Sequence, residues 1–151
     1  MNIVLFEPEI HWNTGNIGRS CVATGSTLHL VGKLGFSLDA KEIRRSGLDY
    51  WAKLDLKVHA SFEDFIASLP ENPSLLFFST KGTKSFWDAS YDAQSYLIFG
   101  KETAGLPKAI HERYGQQMYR VPVGPNVRSL NLSSCAAVVL FEALRQTGFK
   151  P

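Results

Sequence analysis

Six short apolar runs, each separated from the next by a stretch with helical spacing or a polar loop, limit this chain more than any other feature. Residues 2–6 (NIVLF), 27–32 (TLHLVG), 56–59, 75–80 (LLFFST), 96–100 (YLIFG) and 118–123 (MYRVPV) are brief, and most are rich in β-branched or aromatic side chains. That composition and length predict strands. Residues 17–24, 40–48, 61–69, 107–114 and 132–147 predict helices. Such an alternation implies a three-layer α/β fold with a largely parallel, Rossmann-like sheet. A chain of 151 residues with no internal repeat or linker reads as one domain, 1–151.

Punctuation residues support this division. Ser61 with Asp64 three positions on resembles a capping arrangement, Pro107 suits a first helical position, and Gly148 offers a stop after the last helix. Residues 80–94 are polar and predict a long loop. The last helix is apolar on several sides. Leu132, Ala136, Val139, Leu140 and Ala143 share one face, while Cys135, Val138 and Phe141 lie on another. Such a helix is buried, here between the sheet and a second subunit. Glu142 within it reads as a partnered structural charge.

The hydrophobic fraction of 44% and charged fraction of 20% are ordinary for a soluble domain, and the net charge of +2 neither announces nor forbids a nucleic-acid partner. Cys21 and Cys135 have no ligand spacing and read as buried thiols in a reducing compartment. No apolar run has the length of a membrane span, so a cytoplasmic location is expected.

In open α/β sheets, ligands collect beyond the carboxyl ends of the strands. Three segments dense in Gly, Asn, Ser and charge fall there. The first, NTGNIGR (13–19), opens a helix in this reading. Asn16 could cap it, the first-turn N–H groups could hold a phosphate, and Arg19 could add a bidentate grip; a capped helix with a solvated arginine is the plainer alternative. The spacing is neither GxGxxG nor a Walker loop.

The second segment, FGKETAGLP (99–107), sets two glycines around Glu102. Gly100 permits close backbone approach and Gly105 permits a turn; Glu102 could bind a ligand or tie down neighbouring amides. In the third, VPVGPNVRSLNLS (121–133), capping by Asn131 or Ser133 would explain one residue. It would not explain Arg128, Ser129 and Asn131 together. Residues 41–53 (KEIRRSGLDYWAK) offer Arg44, Arg45 and Lys53 beside Tyr50 and Trp51, a mix suited either to RNA or to a solvated helix with two packing aromatics. The four histidines show no ligand spacing, so no metal is expected.

The three segments, in this order and register, resemble the signature motifs of the SpoU/TrmH-type RNA 2′-O-methyltransferases of the SPOUT superfamily. The likeness runs over essentially the whole chain. NIVLFEPEI, RRSGLDYW and the lack of an appended RNA-binding domain look most like the short TrmL/YibK-type branch, which methylates the wobble nucleotide of certain tRNAs. His11-Trp12 stands where relatives often carry a proline.

The resemblance implies a C-terminal deep trefoil knot, a homodimer built on the C-terminal helix, and S-adenosyl-L-methionine as cofactor. By motif position, Phe78, Gly100, Glu102, Val121, Ser129 and Leu130 would bind the cofactor, and Arg19, Ser129 and Asn131 would serve catalysis. Asn16, Arg19, Arg44, Arg45, Tyr50 and Arg128 would meet RNA. The implied reaction is 2′-O-methylation of the wobble C or U of tRNA. Methylation of ribosomal RNA and a catalytically silent RNA-binding dimer are the competing readings. A guanidinium is effectively always protonated, so Arg19 is expected to grip phosphate and stabilise developing alkoxide charge.

Overall fold

A computed structural model describes residues 1–38 and 50–149. The predicted helix at 40–48, with Arg44 and Arg45, lies outside the described residues. Among the described residues seven strands form one sheet: β1 (Asn2–Phe6), β2 (Thr27–Val31), β3 (Leu56–His59), β4 (Leu75–Phe78), β5 (Lys84–Ser85), β6 (Tyr96–Phe99) and β7 (Met118–Arg120). Four helices are described: α1 (His11–Thr24), α2 (Phe62–Ala67), α3 (Lys108–Tyr114) and α4 (Leu132–Thr147). The strand order is β3-β2-β1-β6-β4-β7-β5, and every ladder is parallel.

β1 is buried at all five positions, as a central parallel strand covered on both faces must be. Alternate side chains divide between two cores. Ile3, Leu5, Leu28, Leu30, Leu97 and Phe99 face α1 and α4, which contribute Ile17, Cys21, Val139 and Leu140. Val4, Val31, Phe77 and Ile98 face α2 and α3, which contribute Phe65 and Ile110. Full burial of each large apolar side chain contributes about 1.5–3 kcal/mol. Three layers therefore follow from the two-residue period of the strands.

Local expectations fare unevenly. Ser61 caps α2 by accepting from the Asp64 N–H at 3.0 Å, and Gly148 ends α4 in the left-handed region at φ 73°. Pro107 occupies the N-cap position of α3, one place before the helical position expected. The loop expected over 80–94 contains β5 and a short 3-10 turn (Phe86–Asp88) that buries Phe86. The largest correction concerns α1, which begins at His11, six residues before the expected start. Asn16 is thus an exposed mid-helix residue, and the N-cap position falls to Ile10, which makes no side-chain cap. No helix among the described residues is long and apolar enough to cross a membrane.

Candidate active site

β1, β6, β4 and β7 are neighbours at the centre and one flank of the sheet, so the loops leaving their carboxyl ends converge. They enclose a cavity of about 620 Å³, within the usual range for a small-molecule site. All six residues expected to bind the cofactor line it: Phe78, Gly100, Glu102, Val121, Ser129 and Leu130. Asn131 and Arg128 line it too. Gly100 is required by its own hairpin, since a Cβ there would collide with the Gly105 and Leu106 backbone. Gly105, at φ 67°, makes the turn that brings the hairpin back.

One hydrogen-bond chain joins the three motifs. Glu102 accepts from the Glu9 N–H at 2.8 Å, the Ile10 N–H at 3.3 Å and Asn13 Nδ2 at 2.9 Å. Asn13 Oδ1 accepts from Asn131 Nδ2 at 3.0 Å. Asn131 Oδ1 in turn accepts from the backbone N–H of Ser133 and of Ser134, capping α4. Glu102 therefore ties down neighbouring amides, and its carboxylate occupies the N-terminal end of α1 where a phosphate was envisaged. The positive end of the helix dipole favours that anion.

A second set of contacts straps the hairpin to the loop between β1 and α1. Lys101 Nζ donates to Glu7 at 2.9 Å, and Thr103 donates to Glu9 from its backbone N–H and from its hydroxyl, at 3.0 and 2.7 Å. The Thr103 bonds hold the Glu9 carboxyl below the usual carboxylate range. Glu7 sits at φ 46°, a left-handed conformation that costs a non-glycine residue energy, and its side chain takes the Lys101 ion pair.

Arg19 lies elsewhere. It is exposed on α1, outside the cavity wall of its own chain, with its guanidinium 4.9 Å from the centre of the Tyr50 ring. The Tyr50 hydroxyl donates to the Gly15 carbonyl at 2.7 Å. Trp51 packs against Gly18, where a Cβ would come within 3.0 Å of the indole. Both aromatics are thus used in packing on α1. Trp12, Asn16 and Arg19 share that helix's exposed face.

Sequence reasoning missed Asn13, although the motif that contains it was identified. It also missed Lys81, His111 and Arg120, which line the cavity. Cys135 lines it as well, but burial pushes its thiol up to about 11, so it stays protonated at neutral pH. Among the described residues no group of three or more His, Cys, Asp or Glu could hold a metal ion.

On α4 the buried face is the one expected, and Val138 and Phe141 are exposed at 43% and 56%. Glu142 is a partnered charge: Arg145 and Gln146 hold its carboxyl at about 2.

Residues 1–141 match the family model described as SpoU rRNA Methylase family. A tRNA (cytidine(34)-2′-O)-methyltransferase from Saccharophagus degradans is 50% identical over 150 residues, covering 98% of this chain and 96% of the relative. A solved structure described as giving insights into the 2-OH methylation of C/U34 on tRNA superposes with a TM-score of 0.92 at 40% identity, over 96% of this chain and 94% of that one. The SpoU methyltransferase AviRb from Streptomyces viridochromogenes, solved with AdoMet, superposes with a TM-score of 0.76 at 25% identity, over 97% of this chain and 57% of that one. With its three motifs drawn around one cavity and this match along nearly its whole length, the chain belongs to the SpoU methylase family.

Proposed function

We propose that the protein is an S-adenosyl-L-methionine-dependent methyltransferase that methylates the ribose 2′-hydroxyl of the wobble pyrimidine, C or U, of tRNA. The observation that carries this reading is the chain Glu102–Asn13–Asn131, which holds the three motifs against one cavity. The relatives named for cytidine 34 support the nucleotide, and the AdoMet complex of a family member supports the cofactor.

The cavity suits that cofactor. Phe78, Val121 and Leu130 offer apolar surface for a nucleoside, and the backbone around Gly100 offers polar groups at close range. When bound, the cofactor supplies a methyl group on a sulfonium with a neutral thioether as leaving group. Ser129 and Asn131, at the cavity wall, orient the ribose. Arg19 grips an adjacent phosphate and stabilises the charge that grows on the 2′-oxygen as its proton passes to water and the oxygen takes the methyl group, with the thioether leaving. Asn16 shares the exposed face of α1 with Arg19, and Arg128 extends the cationic rim.

Arg19 does not line the cavity of its own chain, which favours a homodimer with shared sites. The exposed Trp12, Val138 and Phe141 on the neighbouring helices α1 and α4 form its interface. The C-terminal segment is threaded as the trefoil knot of the family, a reading supported by the insertion of β7 between β4 and β5. The enzyme acts in the cytoplasm.

The direct test is methyl transfer from labelled S-adenosylmethionine to unmodified bulk tRNA, with the products mapped by nucleoside mass spectrometry. A 2′-O-methylated pyrimidine at position 34 is expected. Cofactor binding without incorporation would move the substrate to ribosomal RNA, and tRNA binding without cofactor binding would leave a silent RNA-binding dimer.

A further inference from the structure

The charged groups around the cavity divide into two sets. Lys101 is paired with Glu7 at 2.9 Å, and Glu102 is filled by three N–H donors. The side chains of Lys81, Arg120 and Arg128 make no hydrogen bond or ion pair among the described residues. Arg128 belongs to the third motif. Lys81 and Arg120 belong to none of the motifs, and His111 lines the same cavity from α3.

We infer that Lys81, Arg120 and His111 form an oxyanion-binding corner of the cavity, receiving either the cofactor's carboxylate or a phosphate of the RNA. The inference rests on the proposed methyltransferase reading for the identity of those two ligands.

The corner is assembled by backbone contact. Gly82 is buried against β7, where an added Cβ would lie 2.5 Å from the carbonyl carbon of Tyr119 and 3.0 Å from the Arg120 nitrogen. Only a residue without a side chain lets the loop after β4 lie so close to β7, and this brings Lys81 beside Arg120 in the chain fold. Ser79 anchors the same loop by donating from its N–H to the Tyr119 carbonyl at 3.0 Å, and the Gly82 N–H closes the turn onto the Ser79 carbonyl at 3.0 Å.

His111 adds to the corner from α3. Burial and then the nearby Lys81 ammonium lower its pKa, while a bond to the Leu106 backbone opposes the shift. Two cationic side chains and an imidazole thus line one part of the cavity, and among the described residues neither Lys81 nor Arg120 is paired with a carboxylate. Side chains that repel one another in this way gain from an oxyanion placed between them. A sulfonium centre would gain nothing there, so the corner receives a different part of the ligand from the reacting methyl group.

Binding of S-adenosylhomocysteine and of 5′-methylthioadenosine, which lacks the amino-acid carboxylate, separates the two sources when compared with tRNA binding at several salt concentrations. The proteins are the full chain and its Lys81→Gln, Arg120→Gln and His111→Gln variants. Lys81 and Arg120 are exposed, so their variants are expected to fold, and thermal unfolding checks this.

If the corner holds the carboxylate, Lys81→Gln and Arg120→Gln each weaken S-adenosylhomocysteine by about tenfold and leave 5′-methylthioadenosine unchanged. If it holds phosphate, both nucleosides bind normally, while the slope of tRNA affinity against salt falls by about 1 per charge removed. Unchanged binding of all three ligands by folded variants would overturn the corner. Failure of the unsubstituted protein to bind S-adenosylhomocysteine would instead overturn the methyltransferase reading.

Discussion

Asn131 donates from Nδ2 to Oδ1 of Asn13 at 3.0 Å, across 118 positions of the chain. The same Asn13 donates to Glu102, and the same Asn131 caps α4, so each amide is committed at both ends. Removing either one strands a polar group. Asn13→Ala is expected to lower the unfolding free energy by about 1–3 kcal/mol in urea. Asn131→Asp keeps the cap acceptor but loses the donor, so it should cost less than Asn131→Ala, whose lost cap adds about 1 kcal/mol. A double-mutant cycle between Asn13→Ala and Asn131→Ala measures the link itself. Strict additivity of the two losses would mean that the bond contributes nothing.

Arg19 lies outside the cavity of its own chain, which separates its role from cofactor binding. Arg19→Lys keeps the charge but loses the planar fork. The expected result is a turnover lowered by about tenfold or more, with S-adenosylhomocysteine affinity unchanged. Near-full activity would show that bidentate positioning is not the point. A mixed dimer with Arg19→Ala in one subunit and a disrupted cofactor loop in the other tests sharing directly. Recovered activity requires that Arg19 of one subunit serve its partner's site, and an inactive mixture places both groups in the same subunit.

What local pattern could show, it showed well. The run NIVLF is a strand because its residues alternate between two cores, and a run apolar throughout is what a strand covered on both faces requires. The motif segments fell at strand ends, where the sheet rule places ligands. The start of α1 could not be seen in this way. Ile10 makes no side-chain cap, and the carboxylate at that helix end comes from Glu102, more than ninety positions away. β5 is similarly invisible, because two residues become a strand only by pairing with β7. Lys81 was within reach of the strand-end rule, since it follows β4 closely, but His111 sits inside a helix and depends wholly on tertiary placement.

Phe141 is 56% exposed on a helix whose opposite face is fully buried. If α4 meets a second copy of the chain there, Phe141→Glu places a charge in an apolar interface, and the desolvation cost opposes association. Sedimentation should show a dimer for the unsubstituted protein and a monomer for the variant at the same micromolar concentration. With shared sites, methyl transfer falls together with the dimer. A variant that remains dimeric would remove this face from the interface.

His29 and His59 stack with ring centroids 5.2 Å apart and share a hydrogen bond of 3.0 Å between His29 Nδ1 and His59 Nε2. Burial, then His59 and Lys57, lower the His29 pKa to about 4 from the ordinary 6.5, with Asp55 opposing. His59 shifts in the same direction, through burial and Lys57. Because the folded state resists protonation, the unfolded chain binds more protons between these values. The stabilisation is therefore complete above pH 6.5 and lost progressively as the pH falls toward 4. His29→Leu removes the titrating group but leaves Asn2 Oδ1 without the His29 partner it has at 3.3 Å. Its stability should be lower at neutral pH and should fall less steeply across that window. Equal slopes for the two proteins in urea unfolding from pH 4 to 7 would show that the stacked pair does not set the acid sensitivity of this sheet edge.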